Sequence, residues 1–340
     1  MQADDLSPVL QSLIVDPAEL SQAAISFWDE TAARSETPDP LSCGHAWQTT
    51  ALVCSRRAGA PVFLRRSDDS QIVFALTGSS SEVRLGPLEA HWSFGCPLLG
   101  PGSIELLMET IGELKRSRCL GQIIIDIPGL NPDGELTKAI ENAFNSWEIF
   151  RQDPHAAASL ESGLEGWLSR RSGNFRRKLR KAEWAALRRG VIFERHAPGS
   201  PLEAADLYSR MLKIEATSWK GAEGHGLLAL SRFYGMLLRA YAQQGAARVI
   251  VARAEDNDIG FCFGGEALGI YRGQQTSYAE HWRDFSIGAL MHQETARWLC
   301  EDGALLQHFG PIQRSLSYKA RFCELQYPSV RTLIRLRARP

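Results

Sequence analysis

Between residues 247 and 301 the hydrophobic period changes once, and that change sets the fold class. Three runs, "ARVIVARAE", "DIGFCFGGEA" and "GIYRGQQTSY", succeed one another, the first pair joined by the turn "EDND". Short runs rich in β-branched and aromatic residues, broken by turn formers, read as consecutive strands. The polar, aromatic "AEHWRDF" then leads into "SIGALMHQETARWL", whose apolar residues recur at helical spacing. A strand "ALLQHFG", a short helix around 315–323 and a closing strand "RTLIRLR" follow. Strand meander, helix, strand, helix is an α+β order.

The earlier part of the chain repeats that grammar. Residues 1 to about 38 carry one helical pattern, with Leu10, Leu13, Ile14, Ala23, Phe27 and Trp28 as its apolar positions. Residues 45–76 alternate apolar runs with Gly-Ala-Pro and Ser-Asp-Asp-Ser breaks, an antiparallel meander. Helices over 103–117 and 133–146 flank the buried strand "GQIIIDIPGL". A basic helix over about 173–189, the strand "VIFERH", a helix over 201–216 and another at "ALSRFYGMLLRAYAQQG" come next. The expectation is an α+β protein of two halves, 1–155 and 156–340, each a mixed, mainly antiparallel sheet flanked by helices. The boundary is expected near "QDPHAAASL", 152–160. A chain of 340 residues suits two domains with separate cores.

Several function classes drop out. The net charge of −1 gives no global field toward nucleic acid or membrane. No segment approaches the roughly 18 uninterrupted apolar residues of a membrane span. The start "MQADDLSPVLQSLIVD" is acidic where a signal peptide is basic. Cys43, Cys54, Cys96, Cys119, Cys262, Cys300 and Cys323 are scattered, with no ligand spacing. They are expected to be reduced thiols of a cytoplasmic protein, without structural zinc. No Walker loop, HExxH or nucleophile elbow is present, and "GFCFGG" lies inside the strand meander rather than before a helix.

Four segments, "NFRRKLRKAEWAALRRG", "IEATSWKGAEGHGL", "YAEHWRDFSIGAL" and "HFGPIQRSLSYKARF", carry a family resemblance over about residues 160–325. In this order and spacing they resemble a bacterial branch of the GNAT superfamily, acyltransferases first found beside cellulose-biosynthesis genes and related to the FemABX peptidyltransferases. The resemblance implies tandem GNAT-like halves, the first degenerate, the second moving an acyl group from a thioester to an amine without a metal. The implied donor is acyl-CoA or the phosphopantetheine of an acyl carrier protein. The implied acceptor is an amine on a small molecule, sugar or peptide.

Residue by residue, the donor's pyrophosphate is expected where strand gives way to helix, at Arg283, Ser286, Ile287, Gly288 and Ala289. A helix start offers unpaired N–H groups and partial positive charge, and Gly288 permits close approach. The plain alternative is that Ser286 is an ordinary N-cap, worth about 1 kcal/mol. Tyr318 matches the tyrosine that protonates the departing thiolate in many GNAT enzymes; otherwise it packs on Phe322. Lys319 completes a Tyr-Lys pair suited to a carboxylate or phosphate. His308 stands where the family has an acid, and with Glu215 is a candidate base. Glu215 ends a helix whose buried stripe is Leu207, Met211, Ile214 and Trp219, so it needs a partner, Lys220 or a substrate amine. Trp219 and Lys220 are further substrate candidates, although Trp219 also fits the core.

Residues 170–189 hold nine Arg and Lys against one acid, Glu183. Phe175, Leu179, Ala182 and Ala186 form the inward stripe. Asn174, Arg177 and Arg180, with Arg176 and Lys181, remain for substrate or solvent. Basic residues in a first turn oppose the helix dipole, so a phosphate-bearing partner is the sharper expectation: a nucleotide, an acidic carrier protein or tRNA. No basic-aromatic interleaving of the kind that stacks bases is expected there.

Overall fold

The computed structural model describes residues 8–79, 81–116, 121–312 and 314–337. They fall into two compact units. One comprises the chain up to Pro154 together with the segment from Tyr327 onward, and the other runs from His155 to Gln326. The final strand, expected in the second half, thus belongs to the first unit, because Val330 to Arg337 pair antiparallel with Leu130 to Gln122. The division after Pro154 falls within the anticipated segment, 152–160, which lies in a 13-residue strand, Trp147–Ser159.

The first unit holds helices α1 (Pro8–Gln11), α2 (Gln22–Arg34), α3 (Pro40–Cys43), α4 (His45–Val53), α5 (Ser103–Arg116) and α6 (Glu135–Ala143). Its strands are β1 (Ile14–Val15), β2 (Val62–Arg66), β3 (Gln71–Gly78), β4 (Glu82–Gly86), β5 (Leu98–Leu99), β6 (Gln122–Leu130) and the first part of β7 (Trp147–Ser159). The sheet order is β1-β2-β3-β4-β6, then the closing strand, then β7, with β5 on β3. Only β4 and β6 pair in parallel among the registers described here. The expected single helix over 1–38 is broken by β1 and by a 3-10 turn opening at Pro17, before Ser21 caps α2.

The stretch 45–53, expected as strand, is helix α4. Its start is held from another helix: Asp29 Oδ1 accepts the His45 N–H at 2.7 Å. A local cap signal is absent, and the apolar run settles as helix through tertiary contact. Beside it Glu89 is fully buried, accepting from Trp47 Nε1 at 2.8 Å and the Gly95 N–H at 2.6 Å. Desolvation outweighs those bonds and pushes the Glu89 carboxyl up to about 7.

The second unit holds α7 (Gly163–Ser169), α8 (Gly173–Arg188), β8 (Val191–His196), α9 (Pro201–Ala216), α10 (Trp219–Ala222), α11 (Ser231–Gln243), β9 (Ala247–Ala254), β10 (Asn257–Ala267) and β11 (Ile270–Tyr278). Then come α12 (Ile287–Glu301), β12 (Leu306–Pro311), a 3-10 helix (Arg314–Arg321) and the start of β13 (Leu325–Arg337). Here the order is the end of β7, then β12-β11-β10-β9-β8, antiparallel except for β11 with β12. β10 is buried on both faces: Cys262 joins the cluster under α12, while Phe263 meets the Tyr234 ring of α11 at 6.0 Å. Helix α8 lies as its pattern predicts, Leu179, Ala182 and Ala186 buried and Phe175 packed against the same cluster.

No helix among the described residues is long and apolar enough to cross a membrane. Cys43, Cys54, Cys96, Cys262, Cys300 and Cys323 are free thiols; Cys119 lies outside the described residues.

Candidate active site

The site is made by a ladder that stops early. β11 and β12 pair over Ile270↔Leu306, Tyr271↔Gln307 and Arg272↔His308 only, although β11 continues to Tyr278 and β12 to Pro311. Gly310 marks the departure: its φ is +75°, and a Cβ there would stand 2.5 Å from the Arg272 guanidinium. Beyond β11, a 3-10 turn delivers the chain to α12.

Helix α12 begins without a side-chain cap. Ser286 occupies the cap position with φ 55°, and its hydroxyl makes no capping bond, so the ordinary-cap alternative fails. Ala289 and Leu290 return their N–H groups to the Ser286 carbonyl at 2.9 and 3.2 Å. The N–H groups of Ile287 and Gly288 have no backbone acceptor among the described residues. No acid stands in the first turn, so the partial positive charge of the helix start is uncompensated.

This end of α12 opens into a cavity of about 290 Å³. Arg283, Ser286, Gly288 and Ala289 form one wall, Trp219, Lys220, Thr276 and Tyr278 another, and Phe175, His292, Tyr318, Arg321 and Phe322 the rest. Gly288 keeps this wall open: a Cβ would sit 3.1 Å from Tyr278 Cε1, tighter than an ordinary contact.

Three titratable groups give the cavity its character. Tyr318 is 41% exposed, yet desolvation, with Cys262 and Tyr278 adding to it, pushes its phenol up to about 12. It therefore carries its proton throughout the neutral range. His292 is buried against Phe309 and Phe322, and burial, with the Lys319 and Lys220 charges, pushes it down to about 3. It is a neutral imidazole. The Lys220 ammonium donates to Thr276 O at 2.8 Å and Gln275 Oε1 at 3.1 Å, and burial lowers its pKa against the raising influence of Glu215.

The expected residues divide clearly. Tyr318, Arg283, Ser286, Gly288, Ala289, Trp219 and Lys220 converge on one cavity. Trp219, which also fitted the core, is 40% exposed, while Leu207, Met211 and Ile214 are buried as read. Ile287 contributes only backbone, since its side chain is in the core. Lys319 spends its ammonium on the Phe309 and Pro311 carbonyls, at 2.9 and 3.4 Å, instead of facing a ligand.

Both expected bases lie outside the cavity lining. Glu215 is fully buried as a loop clamp: Oε1 accepts the Leu227 N–H at 2.8 Å and Oε2 the Ser218 hydroxyl at 3.4 Å. His308 is 1% exposed, its Nδ1 accepting the Gly310 N–H at 3.1 Å and its ring 5.4 Å from that of His155. Asn174 and Arg177 bond each other at 3.1 Å on the outer side of α8, and Arg180 faces a different cleft.

His292, Tyr278 and Thr276 were not among the residues expected at the site, and Phe322 was expected only as packing for Tyr318. His292 had a signal, standing one helical turn after Gly288 on the same face of α12. Trp184, 66% exposed, stands on the outer face of α8 among exposed Arg177, Arg180, Lys181 and Arg188.

The segment that builds this site also matches a known domain. Residues 169–320 match the family model described as an acetyltransferase (GNAT) domain. Three solved structures share the fold over nearly the whole chain. A conserved protein of unknown function from Bacteroides thetaiotaomicron VPI-5482 is 9% identical, with TM-score 0.65, covering 94% of this chain and 98% of its own. FemX is 11% identical, with TM-score 0.62, covering 94% and 96%. L-PGS from Bacillus licheniformis is 14% identical, with TM-score 0.50, covering 88% and 93%. No curated protein sequence gives a significant match.

Proposed function

We propose that the second unit transfers an acyl group from a thioester to an amine. One observation carries the proposal: the uncapped start of α12 and the Tyr318 phenol open into the same cavity. The donor, acyl-CoA or a carrier-borne phosphopantetheine, rests its pyrophosphate on the Ile287 and Gly288 N–H groups beside Arg283. Its thioester lies toward Tyr318. A small-molecule, sugar or peptide amine attacks the thioester carbon, the C–N bond forms and the C–S bond breaks.

The protons balance through Tyr318. The phenol gives its proton to the departing sulfur and recovers one from the nitrogen, which must lose one on becoming an amide. A phenol near 12 is a weak acid, so it acts as a bound donor that is always loaded, not one that ionises in advance. Neutral His292 accepts a hydrogen bond without repelling the acceptor, and with Glu215 and His308 outside the cavity lining the amine enters as its free base. The rate then rises with pH until the acceptor itself is deprotonated.

The test is thiol release from acetyl-, butyryl- and octanoyl-CoA with a panel of amines. Amine-dependent release that Tyr318→Phe slows is expected. Release no faster than spontaneous hydrolysis for every pair contradicts the proposal.

The exposed Trp184 within the basic face of α8 favours a second reading, in which the acyl group arrives on a polyanionic carrier such as aminoacyl-tRNA. It requires binding that weakens steeply with salt and is lost in Trp184→Ala.

A further inference from the structure

Beside the cavity lies a second cleft, of about 320 Å³, where α7 hands over to α8. It shares two wall residues with the cavity, Phe175 and Arg321. Its remaining walls carry Arg170, Arg171 and Lys178, with Ser172 and Asn174 at the start of α8. Four cations thus face one cleft.

Their neutralisation is incomplete. One carboxylate, Glu324, serves both Arg170 Nε at 2.9 Å and Arg171 Nη2 at 2.5 Å. Lys178 and Arg321 have no ion-pair partner among the described residues, and both are exposed. The cleft therefore keeps about three uncompensated positive charges by this arithmetic, four cations less one acid, in a chain of net charge −1.

Arg171 is built in rather than adventitious. Its side chain is 1% exposed, its guanidinium lies 4.9 Å from the Trp167 ring, and its Nε is buried without a hydrogen-bond partner. A buried guanidinium fork with a donor unused is costly unless something accepts from it. At the same edge Ser172 accepts from the N–H groups of Phe175 and Arg176, while those of Gly173 and Asn174 have no backbone acceptor among the described residues. Fixed guanidinium forks, a mobile lysine and open helix N–H groups together match the tetrahedral oxygens of phosphate.

We propose that this cleft is a phosphate-monoester subsite, holding a terminal phosphate of one substrate whose reactive end occupies the adjoining cavity. The proposal rests on the transfer reading above for what lies in the cavity, and on the cleft alone for the phosphate. The same chemistry reaches it from two sources. The donor brings it as the 3′-phosphate of CoA; the acceptor brings it as a phosphorylated amine.

Calorimetric titration separates them. CoA is compared with 3′-dephospho-CoA, and phosphoethanolamine and glucosamine 6-phosphate with their unphosphorylated amines. Each is titrated into the wild-type protein and into the double variant Arg170→Gln/Lys178→Gln, which leaves buried Arg171 with its Glu324 partner and touches no residue of the cavity lining. In one of the two comparisons the phosphate form is expected to bind at least tenfold tighter. The double variant should erase that difference and leave the unphosphorylated partner's affinity unchanged. Phosphate forms that bind no tighter in either comparison, or an advantage that survives in the double variant, overturn the proposal. A phosphate advantage of the expected kind, without any thiol release from acyl-CoA, sinks the transfer reading and leaves the cleft standing.

Discussion

The two units run the same strand–helix–strand order and reach opposite results. In the first, β4 and β6 pair in parallel from Glu82↔Gln122 to Leu85↔Ile125, and the chain from Pro87 to Gly102 fills the space before α5. Trp47, Trp92 and Phe94 cluster there with ring centroids 5.3 to 6.3 Å apart, around the buried Glu89 carboxyl. The start of α5 is already served: Ser70 Oγ accepts the Gly102 N–H at 2.7 Å, and Glu105 stands in the first turn. In the second unit the corresponding ladder is as short, three pairs against four, and the difference lies at the helix start, which has no side-chain cap and no acid in its first turn. A cavity results. Order of elements makes the scaffold; unspent donors at the helix start make the site.

The largest effect expected concerns chemistry. Tyr318→Phe should lower kcat by about 100-fold or more, the usual weight of a positioned proton donor, with KM little changed. Steady-state thiol release checks it. Tyr318 is partly exposed, so melting should move little.

Next come two opposed pH dependences, one from each unit. His292 has a folded pKa near 3 against 6.5 unfolded, so the unfolded state binds the proton first. Its contribution is whole above pH 6.5 and is lost as pH falls toward 3, about 3 kcal/mol by pH 4. Glu89 has a folded pKa near 7 against 4.5, so its contribution is whole below 4.5 and is lost as pH rises through 7, again about 3 kcal/mol. Denaturant melts from pH 4 to 8 should show His292→Asn flattening the acid side and Glu89→Gln flattening the neutral side. Identical slopes in both variants would break the contrast.

A smaller effect compares the two helix starts. Gly288→Val should weaken CoA binding by roughly 2 kcal/mol, because the new side chain meets Tyr278 and fills the anion's approach. Gly102→Ala, at the start of α5, should cost stability of about 1 kcal/mol through its 3.2 Å contact with Ser70 Oγ and leave CoA binding unchanged. Smallest of all, Lys181→Gln on the outer face of α8 should change transfer from free acyl-CoA by less than about twofold, since exposed charges act weakly at this range.

Much of the second unit was legible in its letters because pattern and burial coincide there. Helix α8, the strands β9 to β11 and the start of α12 all lie where period and turn residues put them. The converging residues around Ser286, Gly288 and Tyr318 were legible for a related reason: a small residue after a strand and a tyrosine after the next strand are local signals. What stayed hidden depends on distance in sequence. Helix α4 is capped by Asp29, Glu215 is claimed by the Leu227 N–H, and Lys319 by carbonyls of β12. No window of neighbouring residues contains those partners. The final strand's return to β6 is likewise a register that 325–337 alone does not encode.

The central claim is that a thioester donor sits at the uncapped start of α12, and ligand-dependent melting tests it most directly. Wild-type protein and Gly288→Val are melted with CoA, acetyl-CoA and longer acyl-CoAs, each far above its expected dissociation constant. At 100 times that constant a ligand stabilises by about 2.7 kcal/mol, a shift of several degrees. The account predicts such a shift for the wild type and its loss in the variant, each shift measured against that protein's own melting without ligand. No shift with any CoA, or an equal shift in both proteins, would contradict it.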